Sequence, residues 1–186
     1  MDEQMINRDL AKVLLTKDAI DERVAQLGRK ITEDFHGEEV VLVDILKGAV
    51  IFFADLARQI KLPVRMDFMA ISSYGSATKS TGVVRILKDL DKDITGRNVI
   101  IIEDIVDSGM SLAFLRDNLL SRGVKKLSIC VLLDKPERRR TNVQVDYCGF
   151  TVPDEFVVGY GLDYAEKYRE LPMIGVLKPE VYGGEA

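Results

Sequence analysis

Short runs of β-branched and aliphatic residues alternate along this chain with segments that have the periodicity of a helix. Residues 40–46 (VVLVDIL), 98–105 (NVIIIEDI) and 126–134 (KLSICVLLD) are mostly apolar, which is typical of strands that are covered on both faces. Thr16 is a suitable N-cap for the first helix, whose apolar stripe is formed by Ile20, Val24, Leu27, Ile31 and Phe35. Strands and helices in this alternation predict an α/β fold with a mostly parallel central sheet flanked by helices.

Composition limits the class of protein. The chain has 186 residues and no internal linker, so we predict a single domain over residues 1–186. Its 26 basic and 30 acidic residues give a net charge of −4, which argues against a nucleic-acid partner. One histidine and two cysteines without C-x-x-C spacing argue against a histidine-based triad, a structural zinc site and a disulfide scaffold.

The sequence also shows no sign of membrane targeting. No run of about 18 apolar residues is present, so we expect no membrane association. The first ten residues, MDEQMINRDL, lack the apolar region of a signal peptide. We therefore expect a cytoplasmic protein.

The densest group of reactive side chains lies in residues 100–112, IIIEDIVDSGMSL. A buried strand ends in Glu103 and Asp104, Asp107 follows, and residues 108–111 open a helix. A glycine at such a turn lets the backbone approach a ligand closely, and the free N–H groups of a helix N-terminus attract phosphate. Two adjacent carboxylates could hold a metal ion or the two hydroxyls of a ribose.

A plain strand–turn–helix with an N-cap and solvated acids would explain a lone D-S-G. Here three acids, a glycine and two hydroxyls surround one strand end, and this density favours a functional site. The segment is not a Walker A loop, because G-x-x-x-x-G-K-[ST] is absent. It is not a dinucleotide fingerprint either, because G-x-G-x-x-G is absent.

The segment resembles the phosphoribosyl diphosphate signature of type I phosphoribosyltransferases. Residues 43–56, 72–82, 132–140 and 153–172 resemble, in the same order, the bacterial hypoxanthine(-guanine) branch of that family. The resemblance runs from about residue 10 to residue 180. It implies the type I phosphoribosyltransferase fold with a small hood, formed by the N-terminal segment and about residues 145–186, and a mobile lid at about residues 72–82.

The resemblance further implies an activity in purine salvage. The 5-phosphoribosyl group of phosphoribosyl diphosphate would pass to hypoxanthine or guanine, giving IMP or GMP and pyrophosphate. Mg²⁺ would be the cofactor, and the protein would be a homodimer or a homotetramer.

The resemblance also assigns roles to individual residues. Asp107 would accept the proton from purine N7. Lys135 would meet purine O6, and the amino group of adenine would then face another donor. The phosphoribosyl and 5′-phosphate group would be bound by Glu103, Asp104, Asp107, Ser108, Gly109, Met110 and Ser111. Pyrophosphate would be bound by Lys47, Gly48, Arg169, Ser73 and Tyr74. The purine would be bound by Ile105, Lys135, Phe156, Val157 and Asp163. The metal would be held by Glu103, Asp104 and Asp163.

Two loops carry further expectations. By the same resemblance, the peptide between Lys47 and Gly48 should be cis. The run Arg138-Arg139-Arg140 should be a solvated loop, with a contact between subunits as the alternative.

Two other functions stay open. The same fold could act on xanthine or another base, or it could serve an RNA-binding regulator that retains the phosphoribosyltransferase fold. The net charge of −4 and the purine elements Lys135, Phe156 and Val157 favour the enzyme. A salt-dependent affinity for an RNA hairpin would favour the regulator.

Overall fold

The computed structural model describes residues 8–74 and 83–183, which form a large sheet flanked by helices and a second, smaller sheet. A short 3-10 turn spans Pro136–Arg138. The strands are β1 (Leu10–Leu15), β2 (Val40–Leu46), β3 (Val64–Tyr74), β4 (Val83–Lys88), β5 (Asn98–Val106), β6 (Lys126–Asp134), β7 (Tyr147–Thr151), β8 (Val157–Val158) and β9 (Ile174–Leu177). The helices are α1 (Lys17–Asp34), α2 (Val50–Gln59), α3 (Met110–Leu120) and α4 (Pro179–Tyr182).

The central sheet has six strands in the order β4-β3-β2-β5-β6-β7. Every neighbouring pair is parallel except β3 and β4, so the predicted α/β fold with a mostly parallel sheet is confirmed. The apolar strands β2 and β5 occupy the centre, where both faces are covered. Because β2, β5 and β6 run in the same direction, their carboxyl ends meet at one edge, where ligands of such sheets bind.

Helices cover both faces of this sheet. On one face, α1 and α2 bury a core that includes the predicted stripe of Ile20, Val24, Leu27 and Ile31. On the other face, α3 buries Leu112, Leu115 and Leu119. Each fully buried aliphatic side chain contributes about 1.5–3 kcal/mol, so these two layers hold the sheet edge in place. Among the described residues, no helix has the length and apolar character needed to cross a bilayer.

The smaller sheet joins the two ends of the chain. Its order is β1-β9-β8, and both of its strand pairs are antiparallel. β7 lies inside the range of about 145–186 that the sequence predicts for the hood, yet it pairs in parallel with β6. That predicted boundary is therefore too early, because β7 covers the open edge of β6 in the central sheet.

The predicted lid also begins too early. Residues 72–74 continue β3, because their backbone pairs with Val83, Val84 and Arg85 of β4. Small polar side chains do not prevent such backbone pairing. The rest of the predicted lid, residues 75–82, lies outside the described residues.

Candidate active site

A cavity of about 230 Å³ opens at the carboxyl end of β5, at the edge where the parallel strands end. β2 and β3 contribute apolar walls through Ile45 and Ile71, and the first turn of α3 closes the far side. The cavity therefore gathers most of the predicted phosphoribosyl residues, and Met110 follows directly in α3. The predicted residues that line it are Glu103, Asp104, Ile105, Asp107, Ser108, Gly109 and Ser111.

The turn between β5 and α3 lines this cavity through Asp107, Ser108 and Gly109. Gly109 is the N-cap of α3 with φ +79°, a left-handed conformation that favours glycine. A Cβ atom at Gly109 would also lie 3.0 Å from both Arg139 Cδ and Val143 Cγ1. The N–H groups of the first helical turn have no partner within the helix, so this end of α3 can bind an anion.

Three acidic side chains lie together at the end of β5. Asp104 is 8% exposed and Asp44, on the neighbouring strand β2, is fully buried. Burial raises the pKa of Asp44 to about 7, and the nearby Asp104 adds to the effect. Burial also raises the pKa of Glu103, to which Asp104 and Asp44 contribute, and that of Asp104. Charge in this cluster is therefore costly until a cation compensates it.

Sequence reasoning did not select Asp44. Its signal is a single charged residue inside an otherwise apolar strand, VVLVDIL. Both of its carboxylate oxygens are buried and make no hydrogen bond. Buried polar atoms are normally hydrogen-bonded, so these two oxygens mark a place where an additional cation or donor would be stabilising.

The carboxyl groups fit a divalent cation that completes its coordination with substrate oxygens. Mg²⁺ prefers oxygen ligands, and proteins usually hold it through one or two carboxylates together with phosphates and water. Among the described residues, no group of three or more His, Cys, Asp or Glu side chains could hold a metal ion. The predicted set of Glu103, Asp104 and Asp163 is therefore not assembled around one point, so oxygens from elsewhere would be needed.

The turn after β2 lies directly against these carboxyl groups. A Cβ atom at Gly48 would collide with Asp104 Oδ2, so a larger residue there would displace this carboxyl group. A Cβ atom at Gly161 would in turn collide with the carbonyl oxygen of Gly48. The cis peptide bond is Leu46–Lys47, one residue earlier than expected, and the prediction for Lys47–Gly48 is wrong. A cis peptide bond that does not involve proline has no characteristic residue type. Its position therefore cannot be predicted from the sequence pattern.

Basic side chains predicted to bind pyrophosphate gather around Glu166. Lys47 Nζ lies 3.0 Å from Glu166 Oε2, and Arg169 Nη2 lies 3.4 Å from Glu166 Oε1. The same Arg169 nitrogen lies 2.8 Å from Asp163 Oδ1, while its Nη1 donates to the Gly161 carbonyl at 2.8 Å. The structure thus brings Lys47, Asp163 and Arg169 into one ionic network, in which Glu166 was not predicted.

Lys135 lies at the end of β6, beside the turn that carries Asp107. Its backbone N–H donates to the Val106 carbonyl at 3.0 Å, and this bond places it next to β5. Its side chain is only 8% exposed, and its Nζ donates to the Glu155 carbonyl at 2.6 Å. A buried ammonium held in this way can present its remaining N–H groups to a carbonyl oxygen.

Phe156 is the most exposed aromatic residue near Lys135. It is 38% exposed, its ring stacks on Tyr182 with 4.8 Å between centroids, and Tyr164 meets it edge-on at 5.7 Å. Val157 follows as the buried first residue of β8. These contacts fix the ring of Phe156, and its exposed part is available to a planar ligand.

Two predicted residues have described backbone only. Ser73 and Tyr74 end β3 and pair with Val84 and Val83. Their side chains lie outside the described residues, so their predicted contact with pyrophosphate stays a prediction.

Arg138 and Arg140 are exposed, as expected for a solvated loop, but the arginine run also makes specific contacts with the neighbouring turns. Arg138 Nε lies 2.9 Å from Asp107 Oδ1, and Arg139 forms an ion pair with Asp134. The backbone N–H groups of Arg140 and Thr141 donate to the Ser108 carbonyl at 3.0 and 3.2 Å. Acidic side chains in the neighbouring turns form ion pairs with these arginines. The register of the strands brings the two groups together, so the sequence pattern alone does not show the pairing.

A second, larger cavity of about 550 Å³ lies between α1, α2 and residues 160–172. Its charged side chains are partly paired with each other, Lys17 with Asp21 and Arg58 with Asp55. It contains none of the predicted site residues, so size alone does not identify the site.

Comparison with known proteins agrees with this geometry. Residues 12–165 match the family described as phosphoribosyl transferase domain. The chain is 53% identical to the hypoxanthine-guanine phosphoribosyltransferase of Mycobacterium tuberculosis over 180 residues, 94% of this chain and 89% of that protein. It is 48% identical to the enzyme of the same name from Bacillus subtilis over 178 residues, 96% of this chain and 99% of that protein.

Solved structures show the same likeness. A hypoxanthine phosphoribosyltransferase from Staphylococcus aureus superposes with a TM-score of 0.94 at 47% identity, covering 98% of this chain and 99% of that chain. The glycine-containing turn at the start of α3, the paired acids and the mostly parallel sheet agree with these relatives. The chain therefore belongs to the phosphoribosyltransferase family and has its type I fold.

The burial of Asp44 predicts a dependence of stability on pH. Its pKa is raised to about 7, so the folded state binds a proton that the unfolded state releases near pH 4. This contribution to stability is complete below about pH 4 and is lost as the pH rises to about 7. Asp44→Asn should therefore become more stable relative to the parent with rising pH, by roughly 2–4 kcal/mol between pH 4 and pH 8.

Urea unfolding of both proteins across this pH range, with a chelator present, checks the prediction. The exposed Asp117→Asn on α3 serves as the matched control, and its difference from the parent should stay constant. A difference for Asp44→Asn that does not change with pH would contradict the burial argument.

Proposed function

We propose that this chain transfers the 5-phosphoribosyl group of phosphoribosyl diphosphate to hypoxanthine and to guanine, giving IMP or GMP and pyrophosphate. The observation that carries the proposal is one sheet edge that joins a phosphate-binding turn, paired acids and a buried lysine beside an exposed aromatic ring. The names of relatives that match nearly the whole chain support it. The reaction belongs to purine salvage.

In this proposal the β5–α3 turn binds the phosphoribosyl group. The N–H groups at the start of α3 and the hydroxyls of Ser108 and Ser111 bind the 5′-phosphate. Glu103 and Asp104 would lie at the ribose hydroxyls and hold Mg²⁺, and Asp163 would be a second metal ligand near the base. When bound, Mg²⁺ neutralises charge that develops on the diphosphate leaving group.

The basic network then receives the pyrophosphate. Lys47 and Arg169 carry positive charge toward the leaving group, and phosphate oxygens would replace Glu166 as their partner. The backbone at Gly48 lies against Asp104, so the leaving group and the ribose hydroxyls are held by adjoining segments. Residues 75–82, which follow Ser73 and Tyr74 at the end of β3, would close over the site and exclude water from the oxocarbenium-like centre.

The purine is held from three sides. Phe156 stacks on one face, Ile105 forms the apolar floor, and the backbone of Val157 reads the edge. Lys135 donates to O6 while Asp107 accepts the proton from N7 as the new glycosidic bond forms. A 6-amino group would place a donor against the ammonium of Lys135, so adenine is a poor substrate. We further propose that the protein is a homodimer or a homotetramer.

Asp107→Asn should lower kcat by about 10²–10⁴-fold, because it removes the proton acceptor and keeps the shape of the side chain. The affinity for phosphoribosyl diphosphate should change little. Steady-state kinetics with hypoxanthine, together with calorimetry of phosphoribosyl diphosphate binding, measure the two effects. Asp18→Asn, on the exposed face of α1, is the matched control. Turnover of Asp107→Asn close to that of the parent would remove Asp107 from this role.

A base panel tests the proposed substrate class. With Mg²⁺ and phosphoribosyl diphosphate, the parent should use hypoxanthine and guanine, and adenine and uracil should give no nucleotide. Lys135→Ala should raise the KM for hypoxanthine much more than the KM for phosphoribosyl diphosphate, because in this proposal the lysine contacts O6 of the base and does not contact the diphosphate. Equal losses for both substrates would contradict this role of Lys135. Xanthine as the preferred base would replace the proposal with the alternative substrate.

A further inference from the structure

Four alternating charges link the candidate proton acceptor to the lysine that faces O6. Arg138 Nε lies 2.9 Å from Asp107 Oδ1, and Arg138 Nη1 donates to Asp154 Oδ1 at 3.3 Å. The same Asp154 oxygen lies 3.8 Å from Lys135 Nζ. Arg138 therefore lies between Asp107 and Lys135, the two groups proposed to act on the purine. It contacts Asp107 directly and is linked to Lys135 through the carboxylate of Asp154.

The two oxygens of Asp107 have different surroundings. Oδ1 is buried and makes no hydrogen bond, although the side chain as a whole is 44% exposed. Because Oδ1 is buried, Oδ2 is the carboxylate oxygen that we expect to meet a substrate. A buried oxygen without a hydrogen bond is unfavourable, and the guanidinium of Arg138 is the charge that compensates Oδ1.

Contacts of the residues that follow Arg138 also fix its backbone. Arg138 is the last residue of the 3-10 turn Pro136–Arg138, and the next residue, Arg139, makes two contacts. Arg139 pairs with Asp134 at the end of β6 and donates to the Val143 carbonyl at 3.1 Å. The backbone of Arg140 then binds the Ser108 carbonyl at 3.0 Å. This loop presents Arg138 to Asp107 from a defined backbone.

The chemistry of a 6-oxopurine gives this arrangement a use. O6 and N7 lie on the same edge of the base, so the group that donates to O6 and the group that accepts from N7 must keep a fixed separation. We propose that Arg138, through Asp107 and Asp154, is a positioning residue that fixes the proton acceptor relative to Lys135. This inference rests on the function proposed above and names a residue that the sequence left in solvent.

Kinetics of substituted proteins test the role of Arg138. Arg138→Gln should lower kcat for hypoxanthine about tenfold or more, because small displacements of a catalytic group are costly. The KM for phosphoribosyl diphosphate should stay within about twofold, since the phosphate-binding turn is untouched. Arg138→Lys should recover part of kcat, because lysine retains the charge and lacks the planar fork that reaches both carboxylates. Arg140→Gln, in the same loop, is the matched control and should behave like the parent.

A double-mutant cycle separates positioning from a general loss of structure. Asp154→Asn should also lower kcat, and the double variant Arg138→Gln/Asp154→Asn should be no slower than the slower single variant, because both act through one chain of contacts. Losses that multiply, or Arg138→Gln with the kcat of the parent, would overturn the proposal. So would a fall in melting temperature that accounts for the lost activity. If the parent itself does not use hypoxanthine, the proposed function fails first, which is a distinguishable result.

Discussion

The burial of like-charged carboxyl groups at the end of β5 is the constraint around which the candidate site is arranged. Asp44, Glu103 and Asp104 meet where β2 and β5 run side by side, and burial raises the pKa of each. Such a cluster lowers stability unless its charge is compensated, by protonation or by a cation. The glycine at position 48 and the start of α3 bring backbone close to the same point.

The basic residues of the site are already partnered within the protein. Lys47 and Arg169 contact Glu166, Arg138 contacts Asp107 and Asp154, and Lys135 is held by Glu155. An acidic protein of net charge −4 can therefore keep a candidate anion-binding site, because local ion pairs and backbone N–H groups contribute to the field that a phosphate would meet. In the proposed function, substrate oxygens would replace the acidic partners of these basic side chains. Substrate binding would therefore add no charge that lacks a partner.

Much of the fold is predictable from the sequence. β2, β5 and β6 are apolar almost throughout, and their alternation with helices predicts the parallel sheet whose edge carries Asp107. β1 is harder, because LAKVLL gains its pairing only from β9 near the other end of the chain. Contacts between distant segments determine such a strand, and local patterns do not contain them.

The residues of the candidate site that lie in one continuous motif were predicted from the sequence. Those that come together from distant segments of the chain were missed. Residues 103–111 form one segment, so their proximity follows from the chain itself. Asp44, Arg138 and Glu166 enter through strand register and loop packing. An isolated acid in a strand, or an arginine in a polar run, carries no local mark of the group it will contact.

Proton exchange on substrate binding tests the buried acidic cluster most directly. Calorimetry of Mg²⁺ and phosphoribosyl diphosphate binding, in buffers of different ionisation enthalpy, counts the protons released, with the substrate and Mg²⁺ alone as the baseline. Because burial raises the pKa of Asp44, Glu103 and Asp104, the account predicts net release at pH 6.5 that becomes smaller at pH 8.5. Binding without release at either pH, or with proton uptake, would contradict it.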